Sequence, residues 1–130
     1  MKYLLDADQI IWYLKGRQDI VGLLQGLGKE NLRISVVALA EVLEGIYGQR
    51  DEKGKLTALG KFLTGPKIIQ VDEQIARQFA KIRSNLRKRG KLIDNMDIFI
   101  AATVLIHNLV LITGNKKDFE KVEGLKIYKD

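Results

Sequence analysis

Four carboxylates stand where the chain is otherwise apolar. Asp6 ends the run Lys2-Tyr3-Leu4-Leu5. Glu41 lies within Val36-Val37-Ala38-Leu39-Ala40-Glu41-Val42-Leu43, and Asp97 opens Ile98-Phe99-Ile100-Ala101-Ala102. Asp8 follows Asp6 by two residues. An ionised carboxylate set among apolar neighbours is costly unless it is paired or bound to a cation. Three such exceptions in a chain of 130 residues predict a shared acidic site holding a divalent metal. Each acid also has a plainer reading. Asp6 can cap a helix after a strand, Glu41 can face solvent, and Asp97 can be a first-turn aspartate favoured by the helix dipole, with Asp94 as the competing cap. One shared site accounts for all three at once. Glu44, one turn beyond Glu41, reads as the solvated acid of its helix.

An all-oxygen donor set suits Mg²⁺ or Mn²⁺ and not zinc. The chain has no cysteine, which excludes thiolate zinc sites and disulfides and fits a reducing, cytoplasmic setting. A hard cation of this kind lowers the pKa of a bound water and neutralises charge building on a phosphorane. On that chemistry Asp6 and Asp97 are the expected direct ligands. Glu41 is either a third ligand or the group orienting the attacking water. Thr113 and Ser35 are candidates to support these acids by hydrogen bonds.

The charge distribution points to the substrate. The net charge is +6, and residues 66–130 carry most of the excess. Arg77, Lys81, Arg83, Arg87, Lys88, Arg89 and Lys91 lie between Gln74 and Ile93 with no acid among them. A basic flank beside an acidic pocket suits a polyanion held by its backbone. Arg77, Lys81 and Lys88 fall opposite an apolar stripe and read as a solvated face. Arg87, Lys88, Arg89 and Lys91 lead into Asp94 and Asp97 and are the candidates for contact with a substrate phosphate.

The elements that must position these residues alternate. Lys2–Leu5, Leu32–Ile34, Lys67–Val71, Leu109–Thr113 and Leu125–Tyr128 read as strands. Helices are expected over Gln9–Leu14, Ile20–Leu27, a stretch carrying Glu41 after Ser35 as cap, Glu52–Leu63, a stretch after Asp72, Asn95–His107 and a short turn near Lys117–Glu120. In the helix after Asp72, Ile75, Phe79, Ile82 and Leu86 recur at i, i+4, i+7 and i+11. This order implies an α/β fold with a mostly parallel sheet of four to five strands, covered on both faces. Sites in such folds lie at the carboxyl ends of strands, where Asp6 and Thr113-Gly114-Asn115 fall. The composition, 46% hydrophobic and 29% charged with one proline, is that of a folded chain with one core, read as a single domain over 1–130. The opening strand containing Asp6 does not read as a signal peptide, and Ile98 to Ile112 falls short of a membrane span.

The residues also carry a resemblance. Tyr3-Leu4-Leu5-Asp6-Ala7-Asp8, Ile34-Ser35 followed by Leu39-Ala40-Glu41, Ile93 to Ala102, and Leu111 to Phe119 resemble, in that order, the PIN-domain nucleases and their VapC-type toxin branch. The resemblance runs nearly end to end. It implies a three-layer α/β/α PIN-like fold, a magnesium- or manganese-dependent endoribonuclease, a small antitoxin as partner, and a homodimer. It matches Asp6, Glu41 and Asp97 to the family's acidic triad. Asn115 stands where many members have a fourth acid, and Asp118 could substitute through a water. Asp8 replaces a usual Asn, and Asn95 stands where an Asp is common, which leaves a rearranged acidic set open. His107 is the only histidine, so a histidine-based ribonuclease mechanism is excluded; at a helix end it reads as structural. Trp12, Tyr13 and Tyr47 read as core or dimer contacts.

Two rivals remain at this level. A haloacid-dehalogenase-like phosphatase would use Asp6-Ala7-Asp8 as nucleophile and acid, but its late acids would follow a strand and here they open a helix. A degenerate PIN domain that only binds nucleic acid or protein would account for Asn115, but has no need of clustered carboxylates.

Overall fold

The computed structural model describes residues 1–129. Its sheet is short-stranded and wholly parallel: β1 (Tyr3–Leu5), β2 (Leu32–Ser35), β3 (Lys67–Ile69) and β4 (Val110–Ile112), in the order β3-β2-β1-β4. Leu4, Leu5, Ile34 and Leu111 are fully buried. Burial of both faces is why these runs lack the polar alternation of a one-sided sheet. The chain moves outward from β1 through β2 to β3, then returns to place β4 on the other flank of β1. That reversal opens a crevice at the carboxyl ends of β1 and β4.

Among the described residues, seven α-helices complete the α/β/α layers. They are α1 (Ala7–Leu14), α2 (Gln18–Leu27), α3 (Val36–Ile46), α4 (Glu52–Phe62), α5 (Glu73–Lys88), α6 (Asn95–His107) and the single turn α7 (Lys116–Phe119). Their starts follow the capping residues in the sequence. Asp6, Ser35, Asp72 and Asp94 each accept a hydrogen bond from a backbone N–H of the turn they open. Helix α1 starts two residues before Gln9 because Asp6 is itself the cap, which moves Asp8 into the first turn.

Packing follows periodicity. Helix α5 buries Ile75, Ile82 and Leu86 and stacks Phe79 on Phe99 of α6, with ring centroids 4.0 Å apart. Helix α6 is buried nearly all round from Ile98 to Val104, as a helix inside the core must be. It ends at Asn108 in the left-handed conformation, with His107 exposed on its last turn. The expected fifth strand over Leu125–Tyr128 reduces to one parallel bridge between Leu111 and Ile127. There the Leu111 N–H donates to Lys126 O, and the Tyr128 N–H donates to Leu111 O. The segment meets the outer edge of β4 at this one position, without a continued ladder. Among the described residues no helix is long and apolar enough to cross a membrane.

Candidate functional site

The crevice beside β1 and β4 is a cleft of about 720 Å³ that collects acids from three helices. Asp6 and Asp8 enter at the start of α1, and Asp97 from the first turn of α6. Ala40, Glu41, Glu44 and Gly45 present one face of α3 by their three- and four-residue spacing. Met96 and Asn115 complete the wall. Burial of Ala38, Val42 and Ile46 against the core turns Glu41 toward the opening.

Asp6 is buried and held on both oxygens. Oδ1 accepts the Ala7 N–H at 2.9 Å, and Oδ2 accepts the Thr113 hydroxyl at 2.7 Å. The Asn115 N–H donates to Thr113 Oγ1 at 2.9 Å, which leaves the hydroxyl proton for Asp6. Burial nevertheless pushes the Asp6 carboxyl up to about 6; the Thr113 bond works against this and the Asp8 charge adds to it. Burial is also the main cause for Glu41, raised to about 7, with the charges of Asp6, Asp97, Asp94 and Asp8 adding. Asp97 reaches about 6, through burial and then the charges of Asp6, Asp94, Asp118 and Asp8. Carboxylates that are partly buried and also repel one another in one cleft mark a candidate functional site, and a cation there would relieve both costs.

The remaining expected residues divide by position. Ser35 is fully buried and caps α3 through the Val37 N–H, so it orients the helix bearing Glu41. Asn115 lines the cleft and donates its amide to Asp118 at 3.1 Å. That bond, and then Lys121, hold the Asp118 carboxyl below its usual range, and Asp118 stays outside the cleft wall. In the basic run, Arg89 is engaged by Asn85 and by the Lys121 carbonyl, with Glu123 at 3.8 Å. It ties α5 to the C-terminal segment. Arg87, Lys88 and Lys91 are exposed. Two features of this neighbourhood escaped the sequence reading. Glu44 is exposed but borders the cleft, and its i+3 spacing from Glu41 is the signal that could have found it. Arg83 donates to Asn95 Oδ1 at 3.0 Å, so it is the basic residue tied to the start of α6. Tyr13 packs on Phe62, Trp12 lies under Arg17, and Tyr47 is exposed.

Among the described residues no three acids are already closed into a cation-holding cluster. The donor set still fits a hard divalent cation. It is all oxygen, it carries excess negative charge, and Glu41 Oε1 is buried without a hydrogen-bond partner. A buried carboxylate oxygen left unpaired is costly, and a cation relieves that cost.

Thr113 offers a direct check on how Asp6 is held. Replacing it with the near-isosteric Val removes the donor to Asp6 and the acceptor for the Asn115 N–H. The expected loss is about 1–3 kcal/mol of stability, with the Asp6 carboxyl moving further above its present value. Thermal unfolding at pH 8 and a carboxyl NMR titration would read the two effects.

A four-stranded parallel sheet in the order β3-β2-β1-β4, with acids from α1, α3 and α6 converging at its switch point, defines a class, and residues 3–125 match the model of the PIN domain. The chain belongs to the PIN-domain family, in its VapC branch. It is 40% identical to Ribonuclease VapC1 of Methanocaldococcus jannaschii over 98% of this chain and 87% of that protein. Among solved structures, VapBC2 from Rickettsia felis bound to a DNA fragment from its promoter superposes with a TM-score of 0.91 at 26% identity, covering 98% of both chains. A toxin–antitoxin complex from Klebsiella pneumoniae superposes with a TM-score of 0.78 at 25% identity, over 99% of this chain and 100% of that one.

Proposed function

We propose that this chain is a divalent-metal-dependent endoribonuclease of the VapC type, the toxin of a toxin–antitoxin pair whose partner is a small antitoxin protein. The observation that carries the reading is the meeting of Asp6, Glu41 and Asp97 in one cleft, with Glu41 Oε1 buried and unpartnered. Kinship with VapC ribonucleases and with solved toxin–antitoxin complexes supports the substrate and the partner. Mg²⁺ or Mn²⁺ bound there supplies a water of lowered pKa and neutralises charge on the phosphoryl oxygens.

The chain's own residues would divide the remaining work. Asp6, oriented by Ala7 and Thr113, and Asp97, fixed on the first turn of α6, would hold the cation. Glu41 Oε1 would complete its coordination or accept the proton of the attacking water. Arg83, Arg87, Lys88 and Lys91 would hold flanking phosphates, a sequence-independent contact that weakens with salt. Because a general ribonuclease chemistry sits behind these contacts, target choice would come from groove shape and loops.

The test is cleavage of total and structured RNA with Mg²⁺ or Mn²⁺, after any co-purified partner is removed. Wild-type protein is compared with Asp6→Asn and Asp97→Asn. Metal-dependent cleavage lost in both variants supports the reading. Equal activity in wild type and variants overturns it, as does folded protein that binds RNA without metal and never cleaves it.

A further inference from the structure

We infer that Asp8 is a positioning residue and not a metal ligand: its carboxylate clamps the loop Thr113-Gly114-Asn115 onto α1. This rests on the metal-dependent reading above and resolves a choice that the sequence left open. Asp8 Oδ2 accepts the Gly114 N–H at 2.9 Å, across 106 residues of chain, and Oδ1 accepts from the Gln9 amide at 3.3 Å. The two residues flanking Gly114 both bear on the site. Thr113 orients Asp6 through the 2.7 Å hydroxyl bond, and Asn115 lines the cleft.

The clamp has a lid. A Cβ added to Gly114 would lie 2.6 Å from Trp12 Cη2 and 2.8 Å from Asp8 Oδ2, so the backbone is pressed against both. Over the Trp12 ring the Arg17 guanidinium carbon sits 4.4 Å from the centroid, and Arg17 is itself held by Asp19 at 2.9 Å. Asp8, Trp12 and Gly114 therefore form one packed unit, in which a bond from α1 sets the loop and the loop sets Asp6. What the clamp requires of residue 8 is a hydrogen-bond acceptor at this spot, and the amide oxygen of Asn meets that need without a charge. Loss of the acceptor leaves the Gly114 N–H to water and lets the loop move; a misplacement on the order of 1 Å can lower a rate about a hundredfold.

The experiment compares Asp8→Asn, Asp8→Ala and wild type in three readouts: RNA cleavage kinetics, Mn²⁺ affinity by calorimetry, and hydrogen exchange of the Gly114 amide. The fluorescence of Trp12, the chain's single tryptophan, serves as a spectroscopic signature of the packed loop. The clamp predicts that Asp8→Asn keeps kcat within about threefold, a loss under 1 kcal/mol. It should also lose far less Mn²⁺ affinity than Asp6→Asn, since only a neighbouring charge is removed, and keep Gly114 protection and Trp12 emission. Asp8→Ala should lose roughly a hundredfold in kcat with little change in KM, expose the Gly114 amide and shift Trp12 emission. A ligand role predicts instead that Asp8→Asn loses Mn²⁺ affinity as Asp6→Asn does, and that result overturns the inference. Unchanged Gly114 exchange in Asp8→Ala overturns it equally. If wild-type protein cleaves no RNA, the nuclease reading fails by itself, while amide exchange and Trp12 emission still decide the clamp.

Discussion

Asp97→Asn is expected to lower kcat for RNA cleavage by about a thousandfold or more, equivalent to roughly 4 kcal/mol of lost transition-state stabilisation. The size follows from the proposed role: a charged ligand would become a neutral one at the point where the cation would be held. The fold should survive the change. Helix α6 is capped by Asp94, which accepts the Met96 N–H at 3.2 Å, and its buried face begins at Ile98. Asn at 97 removes no cap and no core contact. Removing charge from a cleft of mutually repelling carboxylates also relieves strain in the metal-free protein. The measurement is therefore paired: single-turnover cleavage at saturating Mn²⁺, and circular dichroism melting. A large rate loss with an unchanged or raised melting temperature fits a ligand. A rate loss tracking a collapse in stability would assign Asp97 a structural role instead.

Glu41→Gln should reverse the usual sign of a buried-polar substitution. The Glu41 carboxyl lies at about 7 in the folded protein, above an ordinary value of 4.5, because burial and four neighbouring acids disfavour its charge. The folded state then binds more protons than the unfolded chain between those values. Stability is fully present below about pH 4.5 and is lost as pH rises toward 7. Above that the penalty is constant. In chelator at pH 8, Glu41→Gln should stabilise the protein by about 1–2 kcal/mol, after discounting for the solvent that reaches this partly buried group. That corresponds to a rise in Tm of roughly 3–8 °C. At pH 4.5 the difference should vanish. Saturating Mn²⁺ should invert the order, since a cation held at a hundred times its Kd stabilises the wild type by about 2.7 kcal/mol and the variant by less. Melting curves at the two pH values, with and without Mn²⁺, supply all four numbers. A variant less stable than wild type in chelator at pH 8 would remove the case that Glu41 stands uncompensated.

These expectations rest on a candidate site whose residues stand out in the chain. Asp6, Glu41 and Asp97 stand out because carboxylates interrupting apolar runs need a reason, and that reason is local enough to see without coordinates. The caps were equally readable: Ser35, Asp72 and Asp94 announce helices α3, α5 and α6 by residue type alone. Where the sequence misjudged an element, the cause was a partner elsewhere. Leu125–Tyr128 has strand composition, yet how far it pairs is set by where it meets the edge of β4, which is one bridge at Ile127. Glu44 has the look of a solvated acid and is exposed, but the crevice beside it exists only once α1 and α6 are in place.

By itself, then, the amino-acid order determined the alternation of strands and helices, the caps, the apolar faces and the identity of the three unexplained acids. Each is written in propensity, periodicity or the cost of a misplaced charge, and all act over a few residues. Only the tertiary structure decided the sheet order that puts β4 beside β1, the hydroxyl of Thr113 on Asp6, and the Gly114 amide on Asp8. The last two contacts span more than a hundred residues of chain. Their partners are a threonine and a glycine whose local preferences say nothing about acids. Such contacts follow from which strands neighbour one another, and that is settled by burying the whole core at once.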